Sequence, residues 1–295
     1  MTHPYNTPEY AACFDGLAEL RNIGKNLGYM RLRGIEGIPH KDAIIAAPRL
    51  TFSDAATVVE TLRSWDIVSA VIIPDPLQEA QELENNFDTV RPFKTHYVYD
   101  PAQKIEFQGF HKTNIAIADK KCRVRRISFQ DHIESWLTFW DILLERHHIE
   151  GLARYSRQYF ASLASVPGLI AYGAFDLDGN IVAISLWFEH GDHAVSHLNA
   201  CAPEGYKIQA NYGIYKFMLE DLKDKALIDL GSNVGAVDDP EDGLSKFKSG
   251  FSNTVRQSYI CGLICDRARY DELTAGRKNE AFFPAYRAPK VNDEQ

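Results

Sequence analysis

Three strand-like segments between residues 169 and 201 constrain this chain more than any other feature. The segments 169-LIAYGAF-175 and 181-IVAISLWFE-189 are apolar, rich in β-branched and aromatic residues, and joined by 176-DLDGN-180. The Asp178-Gly179 pair suits the positive φ of a tight hairpin turn. A second turn, 190-HGD-192, leads into 193-HAVSHLNAC-201, so the segments read as an antiparallel meander. The pattern then changes. In 212-YGIYKFMLEDLKDKA-226, Ile214, Phe217, Met218 and Leu222 line one helical face, and 227-LIDLG-231 is again a strand. The meander gives way to a crossover. The polar stretch 202-APEGYKIQAN-211 reads as a loop into that helix. Backbone N–H groups at such a helix start can hold a pyrophosphate or an acyl oxyanion.

The segments on either side complete an α+β layout. Two helices are predicted before the meander, one from Phe129 with Ile133, Trp136, Leu137, Trp140, Leu143 and Leu144 on its face, one over 152–165. After 227-LIDLG-231 come the polar loop 231-GSNVGAVDDPED-242, the short helix 243-GLSKFKSGF-251 and a strand candidate over 255–265. The first part of the chain reads as strand 43–47, a helix over 54–65 capped by Ser53, the buried strand 67-IVSAVII-73, a helix from Pro76 with Asp75 as its cap, and the strand 93–99. With 295 residues the chain exceeds one domain of roughly 100–200 residues. The tail 288–295 reads as frayed.

A net charge of −8 excludes a global basic field for gripping nucleic acid, although 120-KKCRVRR-126 is a local basic patch. Five scattered cysteines fit reduced thiols in a cytosol. Cys261 and Cys265 fall on one strand face. No apolar run approaches the ~18 residues of a membrane span, and 1-MTHPYNTPEY-10 lacks the n- and h-regions of a secretory signal. A cytoplasmic protein with no membrane span is the expectation.

The second-half order resembles the GNAT acyltransferase fold, in which the loop into the helix after the fourth strand holds the acyl donor. Here 209-QANYGI-214 keeps a Gln and a Gly of the usual Gln/Arg-x-x-Gly-x-Gly/Ala loop, but not its spacing. Two further segments resemble the Fem-type (FemABX) branch, which carries two GNAT-like domains in tandem. One is 111-HKTNIAIADKKCRV-124, with His111, Asn114, Ile115 and Ala118 matching the branch's His-Arg-x-Asn-Ile-Arg-x-Ala helix while Lys112 and Ala116 replace its arginines. The other is 243-GLSKFKSGF-251, which aligns with Gly-Leu-x-x-Phe-Lys-x-x-Phe-Gly at Phe247, Lys248, Gly250 and Phe251; Ser252 stands where a glycine is usual. The stretch 71–100 resembles the branch's strand, Pro-containing loop, helix, strand and acidic turn.

The resemblance covers most of residues 40–260. It implies two tandem GNAT-like domains with mixed sheets flanked by helices: an N-terminal one over 1–126, degenerate and shaping the acceptor site, a catalytic one over 127–264, and a tail over 265–295 packing back on the first. It implies transfer of an acyl or aminoacyl group to an amine, the donor being acyl-CoA or aminoacyl-tRNA and the acceptor a small-molecule amine or a cell-wall (peptidoglycan) precursor. The −8 charge and the lack of a heptad run for the tRNA-binding hairpin of some members tilt the donor toward acyl-CoA. The branch assigns its Phe-Lys pair to stabilising the oxyanion or leaving group, which carries over to Phe247 and Lys248. Gln209, Asn211, Tyr212 and Gly213 become donor-binding candidates, and Tyr206 and Glu204 substrate-binding ones.

Plainer readings stand beside these. A lone helix lysine is ordinarily solvated, and Lys246 is read that way. Gly250 marks the turn out of the helix, with Phe251 returning to the core. His190, His193 and His197 belong to a hairpin rather than a metal site, for no fourth ligand accompanies them, and no metal is expected. The basic patch alternates with Cys122, Val124 and Ile127 and reads as exposed charge between domains. The departures at Lys112, Ala116 and Ser252 leave open a catalytically silent module binding a cell-wall precursor or a nucleotide-sugar. The oligomeric state is not legible.

Overall fold

The computed structural model describes residues 2–14, 16, 18–148, 154–233, 238–275 and 282–288. In chain order its elements are α1 (Pro8–Ala12), β1 (Glu19–Gly24), β2 (Gly28–Gly34), β3 (Lys41–Ile45), α2 (Ala55–Arg63), β4 (Ser69–Ile72), α3 (Ala80–Asn86), β5 (Thr89–Tyr99), α4 (Gly109–Lys121), β6 (Cys122–Ile127), α5 (Ile133–Arg146), α6 (Arg157–Leu163), β7 (Leu169–Asp176), β8 (Ile181–His190), β9 (His193–Cys201), α7 (Pro203–Lys207), α8 (Ala210–Asp221), β10 (Leu227–Gly231), α9 (Gly243–Ser249), β11 (Thr254–Ile264) and α10 (Arg267–Thr274). Contacts divide them into two compact units, Met1–Pro4 with Lys94–Arg256, and Tyr5–Phe93 with Gln257–Gln295. The class is α+β with mixed sheets.

The unit containing 94–256 is built on the predicted meander. β6, β7, β8 and β9 pair antiparallel in that order. β10 then lies parallel to β9 and antiparallel to the later part of β5. A parallel neighbour cannot be reached by a hairpin, and α8 supplies the crossover. Tyr172, Ala174, Ala183 and Trp187 of the sheet join Ala210, Ile214, Tyr215 and Met218 of α8 in one core. On the other face Trp136 and Trp140 of α5 stack with ring centroids 5.8 Å apart, and both meet Phe160 of α6 edge-on.

The parallel register covers only His193–Leu227, Ala194–Ile228 and Val195–Asp229, although β9 runs on to Cys201 and β10 to Gly231. β9 turns aside at a bulge: Leu198 faces Leu186 and Ser196 faces Trp187, so His197 is the extra residue. Its Nε2 lies 3.1 Å from the Tyr159 hydroxyl and its ring 5.1 Å from Phe188. His193 lies at the strand start, 3.7 Å from Asp192.

The unit containing 5–93 repeats the succession. β1, β2 and β3 form an antiparallel meander, α2 crosses over, and β4 lies parallel to β3. Residues 261–264 of β11 close that sheet antiparallel to β4. Fully buried Asp42 of β3 accepts from Arg33, from Arg287 (Nε at 2.6 Å) and from the Tyr286 hydroxyl, which also meets Ser69 at 2.7 Å.

Several local expectations shift. Asp54, not Ser53, caps α2, its carboxylate accepting the Ala56 N–H at 3.0 Å. Asp75 closes a tight turn onto the Leu77 N–H at 3.0 Å instead of starting a helix, so α3 begins at Ala80. The stretch 202–211 is not an open loop: Pro203 starts α7, and α8 begins at Ala210. Ser156 caps α6, which leaves 154–156 outside the helix expected from residue 152, and 152–153 lie outside the described residues. Cys261 sits in β11, whereas Cys265 follows its end. Of the tail expected to fray, 289–295 lie outside the described residues. The strands β1 and β2 were not anticipated, although in β2 Met30 and Leu32 alternate with Arg31 and Arg33 as in a half-buried strand; in β1 Arg21 and Asn22 fall together and weaken the period.

Burial pushes the His197 imidazole down to about 3 from an ordinary 6.5. Between those values the unfolded chain binds a proton that the folded chain does not, so stability is lost as pH falls below about 6.5. Equilibrium denaturation of wild type and His197→Gln should show the acid-side loss becoming shallower in the variant. Equal slopes would remove His197 as its source.

Candidate active site

Two segments 136 residues apart meet through one imidazole. His111, on the buried face of α4, donates from Nε2 to the Phe247 carbonyl of α9 at 2.8 Å. Its ring lies 5.2 Å from Phe251 and 5.5 Å from Tyr212. Gly250 makes this possible. A Cβ there would stand 2.1 Å from the imidazole, while its φ of −77° is open to any residue. The glycine read as a helix exit is needed for close approach. The matched positions His111, Ile115 and Ala118 are buried, and the departures Lys112 and Ala116 are exposed, so those replacements leave the contact untouched.

Phe247, Tyr212, Tyr215 and Phe251 complete an aromatic seat for α9, with Phe247 4.7 Å from Tyr215 and 4.9 Å from Tyr212. The seat orients the helix so that its two lysines diverge. Lys246 is exposed and pairs with Glu241 at 2.9 Å. Lys248 is 7% exposed, and its Nζ donates to the Ser232 carbonyl at 2.6 Å, beyond the end of β10. Gly231, at φ +81°, leaves room: its Cβ would come within 3.1 Å of that Nζ. Asp242 caps α9 through the Leu244 and Ser245 N–H groups, and Ser245 Oγ holds the Asp239 carbonyl.

Other ionisable groups gather at the same strand end. Asp229 of β10, 4% exposed, accepts the Gly231 N–H at 2.7 Å and meets His96 Nδ1 of β5 at 3.0 Å. Lys94, 2% exposed, donates to Asn233 at 2.7 Å. Burial lowers its ammonium pKa, against the opposing pull of Asp238 and Asp242. Across the β9–β10 pair, the Tyr215 hydroxyl bonds to Ser196, and burial pushes its phenol up to about 12. Sequence reading did not single out Lys94, His96, Asp229 or Asn233. The available signal was two basic residues at alternate positions of 93-FKTHYVY-99 and one acid inside 227-LIDLG-231; which strand faces which lay beyond it.

The remaining candidates divide. Gln209 precedes α8 in the left-handed region (φ 60°, ψ 34°) and gives that helix no side-chain cap. Asn211 Oδ1 is buried without a hydrogen-bond partner. Gly213 packs α8 against α4, where a Cβ would lie 3.2 Å from Ala118 Cβ and Cys122 Sγ. Tyr206, on α7, lies under the Arg146 guanidinium at 4.3 Å, and Glu204 is exposed on the same short helix. The structure brings Phe247 and Tyr212 together; it records no contact from Tyr206 or Glu204 to Lys248. Two arginines of the basic patch are engaged locally, Arg126 by Asp221 and Glu189 and Arg125 over the Phe175 ring at 4.4 Å, while Lys120 and Lys121 are exposed.

The crossover helices of the two units differ where a donor would lie. The first N–H groups of α2 are taken by carboxylates, Ala56 by its cap Asp54 and Ala55 by Glu82 of α3 at 3.3 Å. The first turn of α8 carries no acidic residue and has no side-chain cap. Among the described residues no three His, Cys, Asp or Glu side chains gather as metal ligands, and no helix is long and apolar enough to cross a membrane.

The architecture, with the same succession in both units, is similar to that of solved structures that span nearly the whole chain. The crystal structure of FemX superposes with a TM-score of 0.66 at 11% identity, over 92% of this chain and 95% of that one. L-PGS from Bacillus licheniformis matches with a TM-score of 0.59 at 12% identity, over 90% and 94%. The C-terminal domain of a putative lysylphosphatidylglycerol synthetase from Agrobacterium fabrum matches with 0.58 at 13% identity, over 88% of each chain. No protein-family model and no curated protein matches the sequence. At such identities the likeness speaks for the fold.

Gly250→Ala should destabilise the chain by about 1–3 kcal/mol, the usual cost of overpacking. In a His111→Ala background the same change should cost much less, because the obstructing ring is gone. A double-mutant cycle in urea measures the coupling; strict additivity would contradict the contact.

Proposed function

We propose that the chain transfers an acyl or aminoacyl group to an amine, with chemistry at the end of β10. The observation that carries this is Lys248, a buried ammonium delivered by a seated helix to the place where the β9–β10 ladder has ended. In such a transfer the amine attacks the donor carbonyl and negative charge develops on its oxygen, then on the leaving group. A fixed cation in a site poor in water stabilises that charge far more than one in bulk solvent. Phe247 holds the helix that aims Lys248, and Tyr212 supports Phe247 from α8.

The donor we favour is acyl-CoA, with aminoacyl-tRNA as the alternative. The N-terminal turn of α8, free of acidic caps and bearing Gln209, Asn211 and Tyr212, suits a pyrophosphate, whereas the acid-filled start of α2 does not. In the basic patch Arg126 is already paired with Asp221 and Glu189, while Lys120 and Lys121 stay exposed, which keeps aminoacyl-tRNA as the alternative. Tyr206 and Glu204 are proposed to face the acceptor, a small amine or a cell-wall precursor. The named neighbours include a putative lysylphosphatidylglycerol synthetase, which keeps aminoacyl chemistry within the proposal. The Ser232 carbonyl on Lys248 Nζ is the one contact that favours a catalytically silent ligand-binding module instead.

Calorimetric titration with acetyl-CoA and with aminoacyl-tRNA identifies the donor, and labelled donor with a panel of amines reads transfer. Lys248→Met, which keeps the buried stem, should lower transfer by about 10²–10³-fold with donor affinity held. Unchanged transfer in that variant would reject the role of Lys248. Binding of neither donor, alongside binding of a nucleotide-sugar, would establish the silent module.

A further inference from the structure

The His96–Asp229 pair has a chemical polarity that a purely structural bridge does not need. Asp229 is nearly buried, and its carboxylate is steered by the Gly231 N–H at 2.7 Å. Both its oxygens lie 3.0–3.1 Å from the same ring nitrogen, His96 Nδ1. An ionised carboxylate only accepts, so Nδ1 carries the hydrogen, and in the neutral ring the basic lone pair is left on Nε2. That atom has no hydrogen-bond partner among the described residues, and the side chain keeps 13% of its surface exposed. A carboxylate that fixes the tautomer and orientation of an imidazole and leaves its far nitrogen unbonded is the arrangement of a general base.

Its position matches that role. Gly231 joins the pair to the ammonium: its N–H holds Asp229, and its Cα faces Lys248 Nζ. Asp229 is also the last residue of β10 in register with β9, opposite Val195, and the Tyr215 phenol bonded to Ser196 senses its charge. An imidazole and an ammonium thus flank the strand end from β5 and α9, as acyl transfer to an amine requires of a base and an oxyanion partner. Lys94 on the same strand is tied to Asn233, and Asp238 to the Thr95 N–H and hydroxyl, so neither takes the place of His96.

We propose that His96 is the general base for the incoming amine, a role that rests on the transferase reading above. The amine nitrogen bonds to the donor carbonyl carbon, and its proton passes to His96 Nε2. As the tetrahedral intermediate collapses, the C–S bond of a thioester or the C–O bond of an aminoacyl ester breaks. The proton held by His96 then moves to the departing sulfur or oxygen, which leaves the protein unchanged.

The test uses the full chain with acetyl-CoA or aminoacyl-tRNA and an amine that the wild type accepts. His96→Ala should lower kcat by about 10²–10⁴-fold with donor affinity held. Added 4-methylimidazole should restore part of that loss in His96→Ala but none in Lys248→Met. His96→Gln, whose amide can keep the bond to Asp229, should fold as the wild type does and stay as inactive as His96→Ala. Wild-type turnover in His96→Gln, or a loss in His96→Ala that the imidazole leaves untouched while His96→Gln is active, overturns the base. Absence of any transfer by the wild type overturns the transferase reading and this role with it.

Discussion

The parallel ladder between β9 and β10 lasts from His193–Leu227 to Val195–Asp229 and then ends while both strands continue. That short ladder sets the terms for the rest of the unit. Parallel pairing demands a crossover, which places α8 over the sheet and its N-terminal turn beside β9. The bulge at His197 turns β9 away, and past Asp229 the end of β10 is left to side chains from β5 and α9. A regular fourth hairpin would have buried the same apolar residues with no such strand end to furnish.

Around that end the fold spends polar groups in a way core stability alone does not explain. Two lysines and a histidine–aspartate pair are held by named partners within a few residues of Gly231. Burying charge is costly unless it is paired or hydrogen-bonded. Each of these groups meets that condition through a backbone carbonyl, an amide or a carboxylate. The aromatic seat of Phe247, Tyr212, Tyr215 and Phe251 makes the arrangement rigid, since it fixes the rotation of α9 and hence which of Lys246 and Lys248 turns inward. His111 locks that rotation from a third helix.

Much of this was legible beforehand where a local signal existed. The meander, its Asp178-Gly179 turn, the crossover helix and the strand 227–231 follow from alternation, turn chemistry and helical period. The pairing of the 111 and 243–251 segments could be named as motifs, yet their meeting could not, because nothing in either spacing says that an imidazole fills the space above Gly250. The misplaced caps have local causes: Ser53 and Asp54 stand side by side and the latter takes the Ala56 N–H, while the Asp75 carboxylate is used in a turn on the Leu77 N–H. The stretch 202–211 was polar enough to pass for a loop although Pro203 could open a helix. β1 was hidden by the adjacent Arg21 and Asn22, whereas the alternation of Met30 and Leu32 with Arg31 and Arg33 in β2 was a signal left unread.

By itself the sequence determined the class, the meander and crossover of the second half and the motif that carries Lys248, because periodicity, turn residues and capping residues act within a few positions of one another. It left Gly250 looking like a turn, Gly213 like a donor-loop residue, and His96 and Asp229 like ordinary members of two strands. Only the tertiary structure could decide those. Close approach, burial and hydrogen-bond partnership are properties of residues brought together across the chain, from 111 to 247 and from 96 to 229, and no local pattern encodes which side chain waits on the other side.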